Sequence, residues 1–138
     1  MKRILAIIVV AVCLLCGCGA TSEIEKTVEA FIECVEKDDF EAAALLIHPD
    51  REINRDEIAS YFALLEKDAG IDISNDFQLI EYEIETWQEE EPEIEGEYTK
   101  VTGLVESENE GKQFTFDIKL VENEDALGIY KMKFRVKK

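Results

Sequence analysis

The residues most able to do chemistry are few, and each has a plainer alternative. His48-Pro49-Asp50 sets the only histidine of the chain two residues before a carboxylate. A carboxylate can orient an imidazole near its useful pKa, so this pair has the makings of an acid/base dyad. A helix stop followed by a turn accounts for the same three residues, because proline pushes its predecessor out of the helical region. Asp72, Ser74, Asp76 and Glu83 match positions 1, 3, 5 and 12 of a calcium loop, but Phe77 stands where that loop needs glycine. Glu89-Glu90-Glu91-Pro92-Glu93, with Glu95 and Glu97, is a denser acidic run. It reads as a solvated hairpin loop with at most loose calcium affinity. One histidine and one free cysteine, Cys34, cannot assemble a zinc site. Glu33 and Glu36 beside Cys34 disfavour a reactive thiolate. No catalytic residue, metal ligand or cofactor is assigned.

Cysteine chemistry of another kind stands near the N-terminus. Lys2 and Arg3 precede an apolar run from Ile4 to Leu15. A spanning helix needs about 20 apolar residues, so this run reads as a secretory signal rather than a permanent anchor. Leu15-Cys16-Gly17-Cys18 closes it with an aliphatic residue, two small residues and a cysteine, the order of a bacterial lipobox. Cys13 and Cys16 fit less well, because bulky Val12 and Leu15 precede them. The expectation is a signal peptide over 1–17 and a mature chain beginning at lipidated Cys18. Two or more acyl chains hold a protein stably on a membrane. A thioether at Cys18 would leave Cys34 without an intramolecular disulfide partner. Residues 18–22 form the tether, and extended Gly19 to Ser22 would reach about 14 Å, so the domain would sit against the bilayer.

The rest is one domain, 23–138, with no repeat and no linker rich in proline, glycine or serine. The net charge of −17 becomes more negative once Lys2 and Arg3 are removed. Such a surface repels phosphate backbones and excludes nucleic acid as a partner. Apolar periodicity predicts three helices in the first half. Ser22 to Glu25 has the form of a capping box before the stripe Ile24, Val28, Phe31 and Val35. A short helix follows from Phe40 to Ile47, stopped by Pro49. The third starts at Asn54 with Glu57 three residues on, staples Ile53 to Ile58, and stops at Gly70. From Phe77 the period becomes two. Ile80, Tyr82 and Ile84 point inward, then Glu95 to Glu106 alternates weakly. Phe114, Phe116, Ile118 and Leu120, and finally Tyr130, Met132, Phe134 and Val136, complete four antiparallel strands. The fold class is therefore α+β: three N-terminal helices on one face of a curved four-stranded antiparallel sheet.

That order of elements is similar to the nuclear transport factor 2-like (cystatin-like cone) superfamily. The nearer resemblance lies in Val28-Glu29-Ala30-Phe31-Ile32 through Lys37-Asp38-Asp39-Phe40-Glu41-Ala42-Ala43, followed by Leu46-Ile47-His48-Pro49-Asp50. Small bacterial lipoproteins of that superfamily open in a similar way. The resemblance implies a cone whose mouth can hold a small ligand or a partner. Enzymatic members place acidic, tyrosine and histidine groups inside the cone, but none of their catalytic motifs is present here, and fold alone does not transfer function.

These readings converge on a membrane-anchored extracytoplasmic lipoprotein, on the outer side of a bacterial membrane, whose cone-like domain binds a small ligand or an envelope protein without catalysis. Tyr61, Tyr82, Phe114, Phe116, Tyr130 and Phe134 are core residues, and those nearest the mouth would line a pocket. A small lyase or isomerase working by acid/base chemistry in the cone is the first alternative. A protein–protein interaction module is the second, with Trp87 and the acidic loop as its contact surface. Trp87 falls on the outer face with Glu81, Glu83 and Glu85, so either a β-bulge turns it inward or it marks a partner surface. The alternating Lys131, Lys133, Arg135 and Lys137 protect an edge strand or face an anionic membrane.

Overall fold

The computed structural model describes residues 19–138; the apolar leader and Cys18 lie outside the described residues. Among the described residues, three helices precede a curved, unclosed four-stranded sheet. They are α1 (Gly19–Glu36), α2 (Phe40–Ala44) and α3 (Arg55–Ala69), with a single 3-10 turn at Pro49–Arg51. The strands β1 (Gln78–Trp87), β2 (Glu97–Ser107), β3 (Lys112–Glu122) and β4 (Leu127–Val136) pair antiparallel in sequence order. The α+β expectation therefore holds.

α3 forms as its sequence dictates. Asn54 Oδ1 accepts from Glu57 N–H at 3.0 Å, Glu57 Oε1 accepts from Asn54 N–H at 3.3 Å, and Gly70 ends the helix with φ 72°. The other two helices depart from expectation. Ser22 and Glu25 lie inside α1, so they make no capping box, and Gly19 to Ser22 is helical rather than an extended leash. At 1.5 Å per residue those four positions span about 6 Å. Glu25 shares the sheet-facing side of α1 with Ile24 and Val28 and is only 3% exposed. α2 stops at Ala44, well before Pro49, because the chain turns to hydrogen-bond the edge of β4. Ile129 N–H donates to Leu46 O at 2.9 Å, and His48 N–H donates to Ile129 O at 3.0 Å.

Register sets two unlike faces on the sheet. The inner face carries the rows Leu79–Val105–Phe114–Val136, Tyr82–Gly103–Phe116–Phe134 and Ile84–Val101–Ile118–Met132. Phe31 from α1 and Phe62 from α3 pack into it. Ring centroids lie 5.1 Å apart for Phe62 and Phe134, 5.6 Å for Phe116 and Phe134, and 5.7 Å for Phe77 and Phe114. The first and third are edge-on and the second is stacked, both favourable aromatic arrangements. Two bulges interrupt the alternation. Ile80 is the extra residue between Leu79 and Glu81, so Leu79 takes the inward place expected of Ile80. Tyr130 is the extra residue between Ile129 and Lys131.

The helical half is clasped to the sheet at one end by His48. Its ring is fully buried; Nδ1 accepts from Asp50 N–H at 3.2 Å, and Nε2 pairs with Asn123 Oδ1 at 3.2 Å. These partners assign the neutral Nε2–H tautomer. Asn123 also receives Asp125 and Ala126 N–H on Oδ1 and donates Nδ2 to Glu95 O at 3.0 Å. Gly128 makes the close approach possible, since a Cβ there would stand 2.4 Å from His48 Cα. Gly128→Ala should therefore destabilise the chain by about 1–3 kcal/mol, read as a lower urea midpoint. An unchanged midpoint would mean that β4 and the His48 turn do not need their contact.

Candidate functional site

The six aromatic residues expected to line one pocket divide among three environments. Phe114, Phe116 and Phe134 are buried in the aromatic core, so the concave face of the sheet is filled by its own side chains. Tyr82 is buried under α1, where its hydroxyl donates to Glu25 Oε2 at 2.9 Å. Glu25 Oε1 is buried with no partner. Tyr82 and Phe116 also border a shallow depression beside Gly103, but no open cone mouth gathers the six together. Tyr61 reaches the edge of β4, where its hydroxyl accepts from Phe134 N–H at 2.7 Å. Tyr130 leaves the inner row: its bulge turns it to Tyr98 at 5.0 Å, in a separate cluster with Ile94 and Val121.

Tyr61 and Tyr130 do meet at a groove of about 360 Å³ between the His48–Ile53 connection, α3 and β4. Its floor is Ile47, Ile58 and Ile129, all buried by the clasp and the first turn of α3. Ile53 and Met132 form its apolar walls, and Glu57 and Lys131 its charged rim. Arg51 lies across one end. Its guanidinium stands 4.9 Å from the centroid of Tyr130, and Nη1 donates to Glu93 Oε2 at 3.0 Å. Arg51 Nε is buried without a hydrogen-bond partner. A buried, unpartnered donor costs desolvation energy. The groove thus pairs an aliphatic floor with the Arg51 guanidinium in its lining, in the size range of small binding sites.

The His48–Asp50 dyad does not form. The imidazole accepts the Asp50 backbone N–H, while the carboxylate stands 3.8 Å from Nδ1 and is largely exposed. The calcium-loop residues likewise turn apart. Asp76 accepts from Ser107 Oγ at 2.8 Å and Asn109 N–H at 3.1 Å, closing the β2–β3 hairpin, and Asp72 accepts from Ser74 N–H. That backbone bond, chiefly, holds Asp72 below the ordinary carboxylate range. Among the described residues no group of three or more histidine, cysteine, aspartate or glutamate side chains is placed to hold a metal ion. Cys34 is half-buried against the core; burial first, then Asp39 and Glu33, push its thiol pKa up.

No β-bulge turns Trp87 inward. It stays on the outer face opposite Tyr98, yet it is covered rather than exposed. Lys100 and Lys119 place their ammonium groups 4.6 and 4.4 Å from its ring centroid. Its indole N–H donates to Glu89 Oε1 at 3.0 Å. Glu89 belongs to the acidic run, but its side chain is only 12% exposed, because Lys119 and Lys131 also face it at 3.4 and 3.7 Å. The run is therefore not wholly a solvated loop: Glu89 and Ile94 fold onto the sheet, and Glu93 holds Arg51. Sequence reasoning gave Arg51 and Asn123 no role, read Glu57 only as a helix cap, and placed Glu89 only within the acidic run. The only signal was the pair Leu120-Val121, two consecutive apolar residues that bury both faces of β3.

The indole hydrogen bond, followed by the lysines, lowers the Glu89 carboxyl pKa against the opposing effect of burial. A lowered folded-state pKa contributes stability that is present above the ordinary glutamate pKa and lost as pH falls through the depressed value. Trp87 emission should accordingly stay constant from neutrality through the ordinary glutamate range and change only below it. Glu89→Gln should remove that transition. A transition at or above the ordinary range would show that the indole and the lysines do not hold the carboxylate.

No protein-family model matches this sequence, and no curated protein or solved structure shows significant similarity to it.

Proposed function

We propose that the chain is a lipid-anchored extracytoplasmic binding domain, of the nuclear transport factor 2-like kind, that holds a segment of an envelope protein in the α3–β4 groove without catalysis. The observation that carries this reading is the groove itself. It combines an aliphatic floor fixed by the clasp with the cationic Arg51 and Lys131 in its lining. The filled concave face supports binding at the edge of the sheet over chemistry inside a cone. The two groups best suited to acid/base work, Glu25 and Tyr82, face each other and are 3% exposed, so a substrate would have to part α1 from β1 to reach them. The lipobox order Leu15-Cys16-Gly17-Cys18 supports the anchor.

Two measurements test the two halves of this reading. Cys18→Ala should end incorporation of labelled palmitate and move the chain from the membrane to the soluble fraction. Retention of both label and membrane association would sink the anchor. A photo-crosslinking amino acid placed at Met132 should give a discrete protein adduct in cells, whereas the same probe at exposed Ser60 should not. Equal labelling from both positions would argue against the groove. A small molecule that co-purifies with the chain and protects Met132 would instead favour the small-ligand form of the same site.

A further inference from the structure

The outer face of the sheet carries an arrangement that folding alone does not favour. Lys100, Lys119 and Lys131 stand directly opposite one another in a single row across β2, β3 and β4. Like charges placed directly across strands destabilise a sheet. Glu85 adjoins the row on β1, and Asp117 and Lys133 form a pair in the row beside it. Three features offset the repulsion, of which the first is the Tyr130 ring, 5.3 Å from the Lys131 ammonium. The Trp87 ring takes the ammonium groups of Lys100 and Lys119 on its π-system. The Glu89 carboxylate enters with one oxygen on the indole N–H and Lys119, and the other facing Lys131.

Glu89 lies on the loop between β1 and β2, among exposed Glu90, Glu91 and Pro92. Its carboxylate is therefore a ligand delivered by the most movable kind of segment. Beside it, Lys100, Lys119, Lys131 and Lys133 border a depression of about 300 Å³ with Trp87, Met132 and one carboxylate, Asp117, which is paired across the strands with Lys133.

We infer that the Trp87–lysine row is a carboxylate-binding site whose resident occupant is Glu89, and that its ligand is an acidic side chain of a protein partner. Binding displaces Glu89 and releases the acidic loop from the sheet. The seat suits a carboxylate because it presents one neutral donor and two ammonium groups to two acceptor oxygens. The site lies on the other side of β4 from the α3–β4 groove and shares Lys131 and Met132 with it.

Trp87 is the only tryptophan of the chain, so its fluorescence reports this site alone. The full chain, kept in detergent, would be titrated with a hexaglutamate peptide at constant ionic strength, with inorganic phosphate and chloride as comparison anions. The wild type should give a saturable change. Glu89→Ala should bind about tenfold more tightly, since an internal occupant lowers apparent affinity by the fraction of open seats. Lys119→Met in the Glu89→Ala chain should abolish the response. If Glu89→Ala fails to fold by circular dichroism, Glu89→Gln, which keeps an acceptor for the indole, takes its place. A folded variant without saturable response, an equal response to chloride, or tighter binding of phosphate than of the peptide would each overturn the assignment.

Discussion

The seating of His48 against Gly128 is the contact on which the remaining architecture depends. A helical segment and a sheet can pack in many relative positions when only apolar surface joins them, because burial is non-directional. Here the position is fixed by direction-dependent bonds: two backbone hydrogen bonds to Ile129 and both nitrogens of a buried imidazole. Asn123 extends the constraint to the β1–β2 loop through Glu95. Three connections that are remote in sequence meet at one end of the sheet. The groove follows directly, since its floor residues Ile47 and Ile129 are the bridge partners themselves.

Filling the concave face with phenylalanine moves every accessible functional group to the periphery. Phe31, Phe62, Phe77, Phe114, Phe116 and Phe134 pack together between the helices and the sheet, which leaves the inner face with a structural role. The buried Glu25 is consistent with that division: one oxygen is used by Tyr82 and the other is left without a partner, a cost accepted within the core. The two proposed binding sites meet at β4. Lys131 and Met132 border both the groove on one side of that strand and the tryptophan depression on the other.

Much of this architecture is legible in the sequence, because hydrophobic period and capping chemistry are local properties. Asn54, Glu57 and Gly70 mark α3 to the residue, and the alternation of Phe114, Phe116 and Ile118 gives the inner face of β3. The bulges are not legible. One extra residue at Ile80 or Tyr130 leaves the alternating pattern intact on paper while changing which side chain faces inward. Tyr130 consequently reads as core and belongs to the outer cluster. The end of α2 fails for a related reason: Ala-rich sequence favours continuing the helix, but Leu46 to His48 gains a strand partner more than 80 residues away. The site is less legible than the fold, since Arg51, Glu89 and Asn123 acquire their partners only through tertiary contact.

The order of elements along the chain has a consequence for how the molecule is made. Every strand pairs with its sequence neighbour, so the meander by itself is a topology of short-range contacts, the kind that forms quickly. Its covering helices are synthesised before any strand exists. Their apolar stripes, including Phe31 and Phe62, have no sheet to meet until Phe77 and the strands emerge, and Phe134 and Ile129 arrive only with β4, the last element. The core therefore closes after synthesis of the final strand rather than during it. Between those two moments a nascent chain carries exposed helical apolar surface, and anything that holds such surface in solution acts on this protein before its own sheet can.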